Sequence, residues 1–324
     1  MKIDFETKNV SPILVLAYKR YDMLEGLLAL LPLNRKVYIH IDGPDDKTRS
    51  DVEKTRNVAL NYKNNCIDNR VQITFQEHNL GNIKSFKAAM TWVFVYEQQI
   101  IFLEEDIRFN VNFFSFMDWA LESFHKENRI FQINGLSFLD IFPTRNRLFE
   151  TYSCKPWGFG TWKDRWEIYT RTLMPSNSEE IFEAPVFNGV NLTKSFRSKW
   201  IDRFDRLKLG NDTYDLGWNY AAWANNSYAI SLRRTLTTNI GFDSRSLHTK
   251  IRPKFLRSQI ALYNRRFGRK DLKLISFPSY YDSYSDFIEW KVPGLNHRSL
   301  SFFVLIYTFL VRIKSFTKVI INKF

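Results

Sequence analysis

The stretch Ile100-Ile-Phe-Leu-Glu104-Glu105-Asp106 decides both the fold class and the candidate site of this 324-residue chain. Four apolar residues in a row are typical of a strand that is buried on both faces of a sheet. The three carboxylates that follow repel one another unless a cation lies among them, and a hard divalent ion takes carboxylates together with substrate phosphate oxygens. The stretch therefore predicts a Mn²⁺ or Mg²⁺ site at the end of a buried strand. The alternative is a solvated acidic turn.

Outward from this stretch, apolar strand patterns alternate with amphipathic helix patterns through the first half of the chain. This alternation with short connections indicates an α/β fold, with a mostly parallel sheet covered by helices on both faces. Ligands of such sheets bind at the carboxyl ends of the strands, which singles out Tyr18–Arg20, Asp42–Pro44 and Glu104–Asp106. The predicted strands are 12–17, 37–41, 71–75, 100–103 and 130–133, and the predicted helices are 21–31, 48–61, 82–97 and 112–126.

The composition fits one large packed domain with an appendage. Hydrophobic residues make up 44% and aromatic residues 16% of the chain, which excludes a mainly disordered protein. The two cysteines, Cys66 and Cys154, lack metal-ligand spacing and indicate a reducing compartment. The polar first residues show no signal-peptide pattern, so we expect a cytoplasmic protein with no glycans at the sequons of Asn191, Asn211 and Asn225.

The net charge of +13 is concentrated at one end of the chain. Residues 245–324 hold sixteen Lys and Arg against four Asp and Glu, so that residues 1–244 are nearly neutral. Such a tail predicts a local anionic partner, either nucleic acid or acidic lipid. The apolar segment 300–311 is too short to span a bilayer. A helix over 312–324 would have an apolar face of Ile313, Phe316, Ile320 and Phe324 opposite Lys314, Ser315, Lys318 and Asn322.

This amphipathic pattern favours an interfacial helix on an anionic membrane surface over a helix docked on the body of the protein. A nucleic-acid partner is disfavoured, because the basic residues are confined to one end and adjoin a hydrophobic segment. We therefore expect a peripheral protein on the inner face of a cell membrane, with no nucleic acid bound.

Two single residues near the predicted strand ends suggest nucleotide recognition. Asp42 closes the second strand, and its carboxylate could accept hydrogen bonds from a nucleobase imide or sugar hydroxyls. The alternative is an Asp that forms a turn before Gly43. Arg20 follows the first strand, where its planar fork could bind a diphosphate. The alternative for Arg20 is an exposed residue at the start of a helix.

Four segments in order carry a resemblance to a known family: Leu14-Val-Leu-Ala-Tyr-Lys-Arg20, Ile39-His-Ile-Asp42, Asn79-Leu-Gly-Asn-Ile-Lys84 and Phe102-Leu-Glu-Glu-Asp106. Over residues 12 to about 250 the chain resembles GT-A glycosyltransferases, whose Rossmann-like fold binds nucleotide-diphospho-sugars. It is similar to the inverting mannoside N-acetylglucosaminyltransferases and to bacterial relatives that build surface polysaccharides. By this resemblance Asp106 binds the metal, Glu105 the ribose and Asp42 the uracil. The same resemblance implies that Arg20 contacts the phosphate and that Lys84 and Glu104 make further contacts with the nucleotide-sugar.

The second half extends the resemblance. Lys155-Pro-Trp157-Gly158 is similar to the family's segment near the donor sugar, and aromatic faces suit sugar rings. Asp215 fits the place of the family's general base, with Asp212 and Asp164 as rivals. Asn239-Ile-Gly-Phe-Asp243-x4-His248 is similar to a late loop that closes over the diphosphate, which implies His248 at the metal or phosphate.

The resemblance implies a metal-dependent, inverting enzyme that moves a sugar from a UDP-sugar to a hydroxyl of a glycan or lipid-linked glycan. Residues 1–134 would form the donor and metal half, 135–250 the acceptor half, and 251–324 the basic tail. A sugar nucleotidyltransferase is the alternative enzyme, although Ala17–Asp22 lacks the glycine-rich loop typical of that class. The sequence is also compatible with a nucleic-acid-binding protein or with a catalytically inactive binding module.

The tail gives the first testable prediction. Deleting residues 299–324 is expected to release the protein from anionic vesicles, because both apolar area and Lys/Arg attraction are lost. Binding of the full chain should weaken as salt rises and be poor on neutral vesicles. Vesicle co-sedimentation measures both. Unfolding of the shortened chain would instead identify a core helix, and a shift of the full chain on DNA or RNA but not on vesicles would identify a nucleic-acid partner.

Overall fold

The computed structural model describes residues 10–66, 69–137, 148–174, 177–188, 192, 194–210, 213–232, 234–243 and 245, together with the backbone of strand Leu274–Ile275. The predicted membrane-associating helix, His248 and Asp212 therefore lie outside the described residues. None of the described helices combines the length and the hydropathy needed to cross a bilayer.

Each strand and helix predicted in the first half is present. Two of the strands begin and end at the predicted residues, whereas the third helix ends at Val93 rather than at 97. The elements are β1 (Ile13–Ala17), α1 (Tyr21–Leu28), β2 (Val37–Ile41), α2 (Arg49–Asn64), β3 (Val71–Phe75), α3 (Asn82–Val93), β4 (Gln99–Glu104), β5 (Ile107–Phe109), α4 (Phe113–Phe124) and β6 (Ile130–Asn134).

The second half, for which the sequence patterns predicted no individual elements, supplies further strands of the same sheet and a helical layer. Its elements are β7 (Leu148–Thr151), β8 (Phe159–Trp162), α5 (Lys163–Arg171), 3₁₀ helices Ser178–Glu183 and Pro185–Phe187, α6 (Lys194–Lys208), α7 (Tyr214–Ala224), β9 (Tyr228–Leu232), β10 (Thr237–Asn239) and β11 (Leu274–Ile275).

The described strands form a nine-stranded sheet in the order β11-β7-β9-β6-β8-β4-β1-β2-β3. Neighbouring strands from β4 through β3 are parallel, and β6 is parallel to β9. β8 runs antiparallel between β4 and β6. The predicted α/β fold with a mostly parallel, helix-covered sheet is confirmed. Because β8 is reversed, its first residues lie at the same sheet edge as the last residues of β4.

Alternate residues of the strands pack into two apolar layers. Ile13 and Val15 of β1 belong to the layer shared with α1, α2 and α4, and Leu14 and Leu16 belong to the layer shared with α3, α5 and α7. The second layer is rich in aromatic rings, and Phe86 of α3 stacks on Tyr214 of α7 with 4.0 Å between ring centroids. This contact packs α3 against the first residue of α7.

A buried histidine lies on β2, the strand next to the edge strand β3 of the sheet. His40 of β2 is fully buried, and neither ring nitrogen has a hydrogen-bond partner among the described residues. Burial lowers the pKa of His40 from 6.5 to about 4. The folded protein therefore holds this imidazole neutral, whereas the unfolded chain takes up a proton as the pH falls through 6.5.

His40 gives a pH-dependent prediction. Between about pH 6.5 and pH 4 the unfolded state binds the extra proton, so the free energy of unfolding should fall as the pH falls. His40→Leu should not lose this stability. The unfolding free energy of His40→Leu minus that of wild type should therefore increase by about 3 kcal/mol as the pH falls from 6.5 to 4. Urea unfolding at several pH values measures the difference. Replacement of the exposed His125 by Gln is the control, and a pH profile of His40→Leu parallel to that of wild type would contradict the assignment.

Candidate functional site

The carboxyl edge of the parallel strands brings together the polar segments that the sequence singled out. Glu104 ends β4, with Glu105 and Asp106 directly after it, Arg20 follows β1, and Asp42 follows β2. The amino ends of α1, α3 and α7 reach the same edge. Asn82 ties two of these helix starts together, because its side-chain oxygen accepts a hydrogen bond from the backbone N–H of Tyr214 at 2.9 Å. The edge therefore combines four carboxylates with helix N-termini, which favour anions.

Arg20 bridges the last two residues of the acidic triplet. Its Nε donates to Glu105 Oε1 at 3.0 Å, and its Nη2 donates to Asp106 Oδ2 at 2.6 Å. The three side chains are largely buried, with 14%, 8% and 8% of their surface exposed. Burial alone would lower the pKa of Arg20, but the charges of Glu105 and Asp106 outweigh burial and raise that pKa above its ordinary value. The expectation from sequence placed Arg20 on a diphosphate, whereas here it pairs with the carboxylates.

The segment after β10 closes over this ion pair. Ile240 N donates to the backbone oxygen of Asp106 at 2.9 Å, and Arg20 Nη1 donates to the backbone oxygen of Gly241 at 3.3 Å. A Cβ at Gly241 would lie 2.1 Å from Asp106 Oδ2 and 2.4 Å from Arg20 Nη1. A glycine is therefore required where the backbone passes the charged groups.

The end of the same segment is tied to α1. Arg245 donates to both carboxylate oxygens of Asp22, at 2.7 and 2.9 Å, and also pairs with Asp243. Sequence reasoning missed this contact, since Asp22 and Arg245 lie 223 residues apart.

Asp106 retains one oxygen suited to a metal ion. Its Oδ1 is buried and has no hydrogen-bond partner among the described residues, whereas Oδ2 is held by Arg20. No group of three or more His, Cys, Asp and Glu among the described residues is arranged to hold a metal. The residues present thus fit an ion that takes one protein carboxylate and fills its coordination with substrate phosphate oxygens and water.

Glu104 and Asp215 face this edge from two different elements. Burial raises the pKa of Glu104 well above its usual range, and the charges of Asp106, Glu105 and Asp215 act in the same direction. Asp215 lies in the first turn of α7, half-buried, and its side chain accepts a hydrogen bond from Thr213 Oγ1. The structure therefore brings the predicted base into the electrostatic field of the acidic triplet.

Asp42 has a structural contact pattern. Its carboxylate accepts hydrogen bonds from the backbone N–H groups of Gly43 at 2.8 Å, Leu80 at 2.9 Å and Gly81 at 3.1 Å. Burial raises its pKa, and these three hydrogen bonds oppose the shift. Both carboxylate oxygens are thus engaged with backbone rather than left open for the predicted uracil contact. In this arrangement Asp42 fixes the loop that begins α3.

The remaining predicted binding residues surround the edge. Trp157 packs edge-to-face against Phe242 with 5.9 Å between centroids, and its backbone oxygen accepts from Thr237 Oγ1 at 2.6 Å. Gly158 has a φ of +82°, and a Cβ there would lie 2.9 Å from the Thr237 methyl group. Lys84 is exposed in the first turn of α3 and makes no ion pair with a described residue.

One rival for the general base is removed by the topology. Trp162, which ends β8, pairs with Gln99 at the start of β4, so Asp164 lies at the opposite edge of the sheet from Asp106. Asp164 pairs there with the buried guanidinium of Arg165. Because an entire strand length separates it from the acidic triplet, the suggestion of Asp164 as the base was wrong. Asp212 lies outside the described residues, as does the predicted phosphate or metal contact His248.

Three solved structures show low similarity to the chain. A UDP-glucose pyrophosphorylase complexed with UDP-glucose has a TM-score of 0.30 and 9% identity, over 68% of this chain and 89% of that one. A 4-diphosphocytidyl-2C-methyl-D-erythritol synthase from Anaerococcus prevotii gives 0.27 and 7%, over 61% and 100%. A putative glucose-1-phosphate thymidylyltransferase from Bacillus anthracis gives 0.30 and 12%, over 81% and 100%. No family model and no curated protein sequence matches the chain.

Asp42 provides the prediction from this site. Asp42→Asn puts an amide donor where the carboxylate accepts from backbone N–H groups, so the ligand-free protein should lose about 1–3 kcal/mol of unfolding free energy. Urea unfolding measures this loss. Asp202→Asn, at an exposed position on α6, should change stability by less than about 0.5 kcal/mol. If Asp42→Asn is as stable as wild type but binds uridine nucleotides more weakly, Asp42 contacts the uracil, as the resemblance implies.

Proposed function

We propose that this chain is a divalent-metal-dependent transferase that acts on a nucleotide-diphospho-sugar. The observation that carries the proposal is the Arg20–Glu105–Asp106 cluster, with an unpartnered Asp106 oxygen, at the carboxyl edge of a mostly parallel sheet. A guanidinium fork and neighbouring helix N-termini suit a diphosphate, and the free Asp106 oxygen suits a hard cation.

The side chains divide into roles for this chemistry. Asp106 would hold Mn²⁺ or Mg²⁺, which stabilises the negative charge that develops on a departing diphosphate. Arg20 would donate to the phosphate oxygens, and Trp157 would offer its ring to the sugar. Glu104 and Glu105 line the same edge, where carboxylates can accept hydrogen bonds from sugar hydroxyls.

Glycosyl transfer is the first candidate reaction. An inverting transfer needs one general base to take the proton of the acceptor hydroxyl, and no protein nucleophile. Asp215 supports this role because it enters the acidic edge from α7, on a helix start held against α3 by Asn82. A glycan or lipid-linked glycan on an anionic membrane surface would be the acceptor, as the basic tail suggests.

Nucleotidyl transfer is the second candidate, because a metal ion beside a diphosphate-binding edge serves this reaction as well. The pyrophosphorylase and the thymidylyltransferase are named for reactions of this class. The two reactions leave different products. Glycosyl transfer releases UDP from a UDP-sugar, whereas nucleotidyl transfer releases pyrophosphate from a nucleoside triphosphate and a sugar phosphate. Supplying each substrate set with Mn²⁺ and quantifying UDP and pyrophosphate decides between them, and release of neither product would contradict both.

Two variants separate metal binding from proton transfer. Asp106→Asn should abolish Mn²⁺-dependent UDP binding and turnover, because the proposed ligand oxygen loses its charge. Asp215→Asn should retain UDP binding while turnover falls by roughly 10²–10⁴-fold, the usual share of a general base. Calorimetric titration of UDP and assays of UDP release measure the two effects.

Each of these variants is the control for the other, since both remove one carboxylate from the same edge. Full turnover in Asp106→Asn would remove the metal assignment. Loss of UDP affinity in Asp215→Asn would make Asp215 a binding or structural residue.

A further inference from the structure

Two members of the acidic triplet are already paired with a cation that belongs to the chain. Glu105 and Asp106 share one guanidinium, and both carboxylates are largely buried. Gly241 closes the remaining side, with its backbone oxygen accepting from the same guanidinium. Arg20 thus occupies one oxygen of the residue proposed as the metal ligand.

We propose that Arg20 is a positioning residue that exchanges partners when ligands bind, so that divalent metal and nucleotide diphosphate bind interdependently. The inference rests on the proposed metal and diphosphate site. In the exchange, Arg20 leaves Asp106 and donates its fork to the diphosphate, and both oxygens of Asp106 become available to a cation.

Neither ligand alone completes this exchange. A divalent cation at Asp106 Oδ1 would share this carboxylate with a guanidinium that donates to Oδ2 at 2.6 Å, and the two positive charges would repel each other. The guanidinium cannot simply withdraw, because Arg20 would lose its ion pairs with both Glu105 and Asp106. These two largely buried carboxylates would then compete for the incoming ion.

A diphosphate alone would be repelled by the carboxylates of Glu104, Glu105 and Asp106, because no divalent cation would lie between its negative charges and theirs. When both ligands are present, Arg20 pairs with the diphosphate and Asp106 pairs with the cation. The described residues offer no metal site made by protein groups alone, which is consistent with a cation that depends on substrate oxygens.

Thermodynamic linkage makes the expectation quantitative. If UDP raises the affinity for Mn²⁺ by a given factor, Mn²⁺ must raise the affinity for UDP by the same factor. Coupling between two sites typically amounts to about 5–150-fold, and we expect at least about tenfold here.

The experiment measures four affinities for each variant of the full chain. Mn²⁺ binding is followed by the electron paramagnetic resonance signal of the free ion, with and without UDP, and UDP binding by calorimetry, with and without Mn²⁺. Arg20→Gln removes the internal cation, so Mn²⁺ alone should bind at least about tenfold more tightly than in wild type, and the coupling factor should fall toward one.

Two further variants control the result. Arg20→Lys keeps the charge but cannot reach both carboxylates with a planar fork, so its metal affinity should lie between those of wild type and Arg20→Gln. Arg206→Gln removes an exposed arginine that pairs with Asp202 on α6, and it should bind both ligands as wild type does. Thermal unfolding of each variant shows whether it is folded.

The outcomes distinguish this inference from the proposed function. If wild type binds UDP with Mn²⁺ but the two ligands bind independently, or if folded Arg20→Gln binds Mn²⁺ no more tightly than wild type, the exchange is wrong and the function stands. If wild type binds neither UDP nor UDP-sugars with any divalent ion, the proposed function is wrong, and the inference fails with it.

Discussion

Consecutive carboxylates at the end of a buried strand need positive charge close by, and in this protein Arg20 supplies it. The guanidinium is held between Glu105 and Asp106, under the backbone of Gly241. Because these groups come from β1, β4 and the segment after β10, one electrostatic requirement fixes the relative positions of three distant parts of the chain. The rest of the edge is arranged around that contact, including the loop that Asp42 secures and the first turn of α7.

The reversed strand β8 explains how the two halves of the chain share one site. A purely parallel continuation would start its next strand at the far edge of the sheet, whereas β8 begins beside the end of β4. Gly158 therefore lies against Leu103, so close that a Cβ at Gly158 would be 3.3 Å from the Leu103 side chain. The same reversal carries α5 and Asp164 to the other edge. Strand direction thus decides which acidic residues of the second half lie at the same edge as Asp106.

Much of the first half could be predicted because its signals are local. The apolar run at 37–41 and the helical spacing from Asn82 onward each depend on neighbouring residues, and both elements are present. The short pairing of β5 with β10 could not be predicted, since it joins Phe109 to Thr237 and has no local signature. The site shows the same division. Its location followed from the strand ends, but the partners of Arg20 and of Asp42 depend on tertiary contacts that no spacing reveals.

The segment from Ile240 to Arg245 has unequal anchors at its two ends. At one end the β10 ladder and the hydrogen bond from Ile240 to Asp106 are shielded from solvent. At the other end, Arg245 and Asp22 meet at the surface with 36% and 49% of their side chains exposed, and such ion pairs contribute about 0–1 kcal/mol and are screened by salt. The contacts at the β10 end are therefore less accessible to solvent than the contact on the α1 side. Higher ionic strength therefore weakens the exposed pair of Arg245 with Asp22, whereas the largely buried pairs of Arg20 with Glu105 and Asp106 are screened much less.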